Sequence, residues 1–209
     1  MLHIEQFVNE LMTSNGYVVY LEGQRSCLVI DPGSEKCVDM IRFLEEKDLH
    51  PEYILLTHEH TDHTWGVNTL IDRYDARVVC SADCKKALPR EGRTYFLFYR
   101  DDTEYAYAVK RVDVVLEKPD GFLEWKGGTI RYLLTPGHSK GSVCYSIEDQ
   151  LFTGDTVMQF KPYIHKKQGS LEEFKRSVRL LLDTFDGEVT NVCPGHGEQF
   201  LLKDYKYEG

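Results

Sequence analysis

No run of apolar residues in this 209-residue chain approaches the ~20 needed to span a bilayer, and the opening Met1-Leu2-His3-Ile4-Glu5-Gln6 has neither the basic stretch nor the apolar run of an export signal. The chain is therefore expected to work in the cytoplasm, away from membranes. Positive charge is scarce too, with 25 Lys and Arg against 34 Asp and Glu and a net charge of −9. That balance excludes a function resting on a broad electrostatic grip on nucleic acid or anionic lipid. No Cys-x-x-Cys occurs among Cys27, Cys37, Cys80, Cys84, Cys144 and Cys193, which read as reduced, buried small hydrophobes. Repeats and low-complexity linkers are missing, and 42% hydrophobic with 12% aromatic residues excludes bulk disorder. What remains is one folded domain over residues 1–209 acting on a small molecule, its oligomeric state unspecified.

Short runs rich in β-branched and aromatic residues alternate with stretches of helical spacing. Strands are expected at 17–21, 27–30, 53–56, 78–80, 130–134, 143–147, 151–152 and 189–193. Val38, Ile41 and Leu44 mark one helix, and Val67, Leu70, Ile71 and Tyr74 another. A third opens at Ser170 with Glu173 as a capping box, its apolar face being Leu171, Phe174, Val178, Leu181, Leu182 and Phe185. The alternation is that of an α/β fold. Residues from about 89 to 126 stand apart as an aromatic- and charge-rich insertion between two sheet-forming halves, its aromatic stretch Arg93 to Tyr107 suited to a lid, an interaction surface or packing on its own domain.

Four potential metal ligands fall within six residues in His58-Glu59-His60-Thr61-Asp62-His63, immediately after the apolar run 53–56. His58 and His60, two apart at a strand end, point to the same side, while the turn through Thr61 swings Asp62 and His63 towards a second site. Three more strand ends carry such groups: Pro136-Gly137-His138, Gly154-Asp155-Thr156 and Pro194-Gly195-His196. In layered α/β folds ligands gather at the carboxyl ends of strands. Five imidazoles and two carboxylates suit a pair of divalent ions, zinc first, with iron and manganese also accepting the mix. His58, His60 and His138 are assigned to one ion, Asp62, His63 and His196 to the other, and Asp155 to both. His3 and His50 read as solvated surface groups. Asp31 is equally a partner for the outer nitrogen of a ligand histidine and a plain turn-former in Asp31-Pro32-Gly33.

With those motifs in that order, the chain resembles the metallo-β-lactamase superfamily over roughly residues 13 to 199, and within it the glyoxalase II-type hydrolases. The resemblance implies a four-layer αββα sandwich with two metal ions at one edge. It implies hydrolysis of a small thioester, ester or lactone by a metal-bridging hydroxide, with Asp62 orienting the nucleophile and passing on its proton. Cys193 is then a buried strand residue. Glyoxalase II enzymes continue into a helical extension that helps hold glutathione, whereas this sequence ends 13 residues after His196, so glutathione thioesters are expected to be poor substrates. Lys161, Tyr163, His165 and the neighbouring Lys166 and Lys167, on the loop after Asp155, are candidates to anchor an anionic group of the substrate. Two other functions are compatible with the same first motif. One is a mononuclear-iron sulfur dioxygenase, the other a non-catalytic metal-binding protein, and counting bound metal separates the first from the hydrolase.

Overall fold

A computed structural model of the chain describes residues 1–99, 107–164 and 167–206, with the backbone alone described over 91–99. In one sheet lie, in order, β1 (Leu2–Val8), β2 (Asn15–Leu21), β3 (Ser26–Ile30), β4 (His50–Leu55), β5 (Arg77–Ser81) and β6 (Val114–Leu116). The second sheet orders β7 (Asp120–Trp125), β8 (Gly128–Leu134), β9 (Val143–Ile147), β10 (Gln150–Gly154), β11 (Asn191–Pro194) and β12 (Phe200–Leu201). Helices α1 (Val38–Glu46), α2 (Thr61–Thr64), α3 (Val67–Tyr74) and α4 (Ala82–Tyr99) connect strands of the first sheet, and α5 (Leu171–Thr184) connects β10 to β11.

The two faces of each strand explain the layers. On the outer face of the first sheet Val18, Val29, Ile54 and Val78 pack with Met40 and Leu44 of α1, Val67 and Leu70 of α3, and Cys84 and Leu88 of α4. Their chain neighbours Tyr17, Val19, Leu28, Ile30, Leu55 and Val79 turn the other way and meet Ile130, Val143, Tyr145 and Phe152 of the second sheet. The outer face of that sheet takes Phe174, Val178 and Leu181 of α5 on Cys144, Leu151 and Val192. The architecture is the αββα sandwich, held by side chains that each contribute ~1.5–3 kcal/mol when fully buried.

Chain direction then gathers the loops. β3, β4 and β5 pair in parallel, so the residues after Ile30 and Leu55 emerge at one edge. β8 and β10 both run antiparallel to β9, and β11 runs parallel to β10, so the loops after β8, β10 and β11 share an edge as well. The two edges are stitched together. Tyr17 Oη donates to Pro194 O at 2.7 Å, Asn15 N to Gly195 O at 2.7 Å and Val143 N to Thr57 O at 2.8 Å.

Several elements differ from the sequence reading. The start of the chain forms β1, and the stretch 89–126 gives β6 to one sheet and β7 to the other rather than standing apart from both. Of the aromatic run proposed as a lid, 93–99 belong to α4 and 100–106 lie outside the described residues, while Tyr107 packs against Leu11 and Trp65. On α5, Leu171 and Leu182 face solvent while Ser177 is buried. β11 begins at Asn191, leaving Val189 exposed. His3 stacks on Tyr20 with ring centroids 5.1 Å apart, and His50 meets Tyr74 edge-on.

Candidate metal centre

The first motif changes from extended chain to helix in mid-course. Beyond β4, Thr57 to His60 remain non-helical, and His60 is the extended N-cap of α2, with Thr64 Oγ1 donating back to its carbonyl at 3.0 Å. Asp62 and His63 lie on that single turn, which carries them round to the other side. Its backbone runs against a glycine: a Cβ on Gly33 would collide with the Asp62 carbonyl, so no other residue fits there.

His58, His60 and His138 converge. His60 Nδ1 lies 3.0 Å from His58 Nε2 and 3.0 Å from His138 Nε2. The outer nitrogens fix the tautomers. His138 Nδ1 is 3.0 Å from the Tyr163 carbonyl and must donate to it. Thr57 gives its hydroxyl proton to Asp31 Oδ2 at 2.6 Å, so its Oγ1, 3.0 Å from His58 Nδ1, accepts from that ring. Both Nε2 atoms therefore aim lone pairs at a His60 nitrogen that has at most one proton to offer. Three nitrogens so placed fit a cation, since a tetrahedral ion with ~2.0–2.1 Å bonds would hold them ~3.3 Å apart.

Beside them stands a second group. His63 Nε2 is 3.5 Å from both Asp62 Oδ2 and Asp155 Oδ1, and His196 Nε2 is 3.4 Å from Asp62 Oδ2 and 3.6 Å from Asp155 Oδ1. The other Asp155 oxygen, Oδ2, is 3.4 Å from His138 Nε2, so this carboxylate faces both groups. His63 Nε2 and Asp155 Oδ1 are buried with no hydrogen-bond partner, a costly arrangement that a divalent ion would relieve. The donor set is thus suited to metal on both sides of Asp155.

Asp31, left-handed at φ 49° and buried, combines a turn with hydrogen bonds to the first motif. It turns the chain out of β3. Its Oδ1 accepts from Thr57 N at 2.8 Å, and its Oδ2 from Thr57 Oγ1 and, at 2.9 Å, from His63 Nδ1. One carboxylate therefore orients a histidine of each group, directly for His63 and through Thr57 for His58. Asp31 also falls in a tight set with His58 and His63, where both of its oxygens are engaged by these hydrogen bonds.

Electrostatics separate the two groups. Burial first, and then the neighbouring imidazoles, keep His58 and His60 neutral, His60 at about 4; His138 is lowered mainly by burial. On the other side burial also opposes charge, but Asp62, Asp155 and the hydrogen bond to Asp31 outweigh it and raise His63 to about 10. His196 is raised as well, because its bond to Asp62 and the charge of Asp155 overcome burial. Asp62 is pushed up by burial yet held well below the carboxylate range by His63 and His196. Glu59, buried beneath the motif, is raised by burial against a hydrogen bond from Ser139.

The seven sequence-assigned ligands thus sit together, in the groups assigned to them. Of the substrate candidates, Lys161 and Tyr163 are exposed on the loop after β10, while His165 lies outside the described residues, as does Lys166. Cys193 is buried within β11, its thiol pushed up by burial. Sequence reasoning missed the loop between β1 and β2, where Asn9 Nδ2 donates to Asp31 O at 3.2 Å and Ser14 Oγ donates to the Asp62 carbonyl. Only tertiary contact brings it to the motif; nothing local in its sequence announces it.

Residues 11–196 match the family model described as Metallo-beta-lactamase superfamily. The chain belongs to that superfamily. The superfamily binds divalent metals, and the His and Asp clusters lie within the matched residues. Among curated relatives, the chain is 27% identical to a probable polyketide biosynthesis zinc-dependent hydrolase, BaeB, from Bacillus velezensis, covering 99% of this chain and 86% of that protein. It is 28% identical to a hydroxyacylglutathione hydrolase from Pelagibacter ubique over 73% of this chain, spanning about half (54%) of that enzyme's length. Among solved structures, BLEG-1 B3 metallo-beta-lactamase superposes with a TM-score of 0.86 at 24% identity, over 96% of this chain and 95% of the other, and so shares the fold. No helix among the described residues is long and apolar enough to cross a membrane.

Proposed function

We propose that this superfamily member is a dinuclear metal hydrolase acting on a small thioester, ester or lactone. The observation that carries this reading is Asp155, whose two oxygens face one histidine group each while Oδ1 and the adjacent His63 Nε2 are buried without partners. His58, His60 and His138 would hold one ion, Asp62, His63 and His196 the other, with Asp155 shared. Zinc suits the donors best, with iron and manganese as alternatives; such ions activate water at neutral pH and polarise a carbonyl.

The chain's own contribution is positional. Asp62, kept ionised by His63 and His196, presents a carboxylate beside those two rings that can orient the attacking water and accept its proton. Asp31 accepts from Nδ1 of His63, which leaves Nε2 of that ring facing Asp62 and Asp155, and through Thr57 it keeps Nε2 of His58 free of a proton. Near the two groups, Phe160 is exposed with its ring 6.5 Å from that of His196, and Tyr163 and Met12 are exposed on the loops whose backbone and side chains contact His138 and Asp62. These side chains favour an acyl group with an apolar body, and Lys161 beside them would meet an anionic portion. The names of the relatives support hydrolysis, thioester hydrolysis included.

Metal analysis of protein purified without added metal, combined with assays on thioesters, lactones and phosphodiesters, tests the reading. Two ions per chain with thioester or lactone turnover is the expected outcome. A single iron with oxygen consumption in the presence of a persulfide would replace it with the dioxygenase.

A further inference from the structure

Glu59 lies between two ligand histidines in the chain, and the alternation that aims His58 and His60 at the metal group sends its side chain the other way, into the protein. It is 4% exposed. Its Oε2 accepts from Ser139 Oγ at 3.0 Å, and Ser139 is the residue after His138, 80 positions along the chain. The bond is part of a connected network. Ser139 Oγ lies 3.1 Å from Ser142 Oγ and accepts from Gly141 N at 3.1 Å, while Ser81 Oγ donates to the Gly141 carbonyl at 2.7 Å. Gly141 is required by this packing, because a Cβ there would collide with Glu59 Oε2 and come within 2.6 Å of the Cα of Cys84.

A buried carboxyl is costly unless its partners are fixed, and this one takes its side-chain hydrogen bond from Ser139. What it touches is the backbone turn that delivers the third histidine. We propose that Glu59 is a positioning residue that fastens the His58–His60 segment to the His138 turn and so assembles the three-histidine group, which Asp31 reaches only through Thr57 and His58, whereas it holds His63 of the other group directly. The proposal rests on the reading that those three histidines hold an ion.

The test uses the full-length protein, stripped of metal and titrated with zinc against a chromophoric chelator, and with cobalt to follow the ligand-field absorption. Wild type, Glu59→Ala, Glu59→Gln, Ser139→Ala and the Glu59→Ala/Ser139→Ala double variant are compared, with melting of each apoprotein alongside. Glu59→Ala is expected to weaken one of the two ions ~10-fold or more and alter the cobalt spectrum, on the scale of losing a group that supports metal ligands, while the other ion shifts less than ~3-fold. Glu59→Gln, whose amide oxygen still accepts from Ser139, should bind both ions within ~3-fold of wild type. Ser139→Ala should reproduce the selective loss, with the double variant no worse than the larger single. Should Glu59→Ala fail to fold, Ser139→Ala decides. Equal weakening of both ions in step with the melting temperature, or wild-type binding in Ser139→Ala and Glu59→Ala, overturns the role of Glu59. Failure of wild type itself to bind two ions overturns instead the dinuclear reading on which the role depends.

Discussion

Asp62 illustrates how much one side chain does here. Its carboxylate lies within 3.4–3.5 Å of His63 and His196, and its main chain is gripped from beneath by Ser14 and crowded by Gly33. Removing the charge while keeping the size should therefore hurt chemistry more than folding. Asp62→Asn is expected to lower kcat by ~10²-fold or more, with little change in KM and with the His58–His60–His138 ion retained. Near-wild-type kcat in a folded, metal-analysed variant would reduce Asp62 to a turn former. The clustering of the seven candidate ligands was legible because each motif is local: the histidines and aspartates sit within a few residues of a strand end, and a strand end is visible in sequence. Asp31 was ambiguous because the partners that decide its role, Thr57 and His63, are 26 and 32 residues away. Glu59 was invisible for the opposite reason. Standing between two candidate ligands, it bonds away from them, and its partner Ser139 is set only by the packing of two sheets.

At the scale of elements, α5 shows what periodicity captures and what it leaves out. The cap is as expected in one half: Ser170 Oγ accepts from Glu173 N at 3.3 Å. The Ser170 N–H, which a full capping box would give to the Glu173 carboxylate, goes instead to Gly137 O at 2.8 Å, and Ser177 Oγ donates to Pro136 O at 2.7 Å. The helix is thereby fastened to the turn that carries His138, which explains a buried serine on a face where leucine periodicity pointed to Leu182. β1 and β7 escaped notice because half-exposed strands such as Leu2–Val8 and Asp120–Trp125 mix charges with aromatics and lack a continuous apolar run. The split role of Ser170 yields a prediction. Ser170→Ala removes the side-chain cap but leaves the backbone bond to Gly137, so stability should fall by ~1 kcal/mol in urea denaturation while zinc affinity stays within ~2-fold. A large loss of metal from this variant would mean that the cap side chain, and not the backbone contact, holds the His138 turn.

For the molecule as a whole, the two histidine groups bias stability in opposite directions, and metal removes one of the biases. His58, His60 and His138 have lowered folded pKa values, so below the unfolded histidine value of ~6.5 the unfolded chain takes up protons that the native apoprotein resists, and stability is lost as pH falls towards 4. His63 and His196 have raised values. Their contribution is complete below ~6.5 and is lost as pH climbs through the folded value, about 10 for His63. The metal-free protein should accordingly melt highest near pH 6.5 and decline on both sides. An ion bound at His63 and His196 must displace a proton throughout the range below about pH 10, so its apparent affinity rises with pH, close to tenfold per unit for each proton released. The melting temperature gained on adding zinc to chelator-treated protein should therefore widen steadily from pH 6.5 to 9. Melts of the stripped and reloaded protein across pH 5 to 9 measure this directly. A gain that stays constant above pH 6.5 would mean that His63 and His196 are already unprotonated without metal, and that the carboxylates around them were arranged for something other than exchanging a proton for an ion.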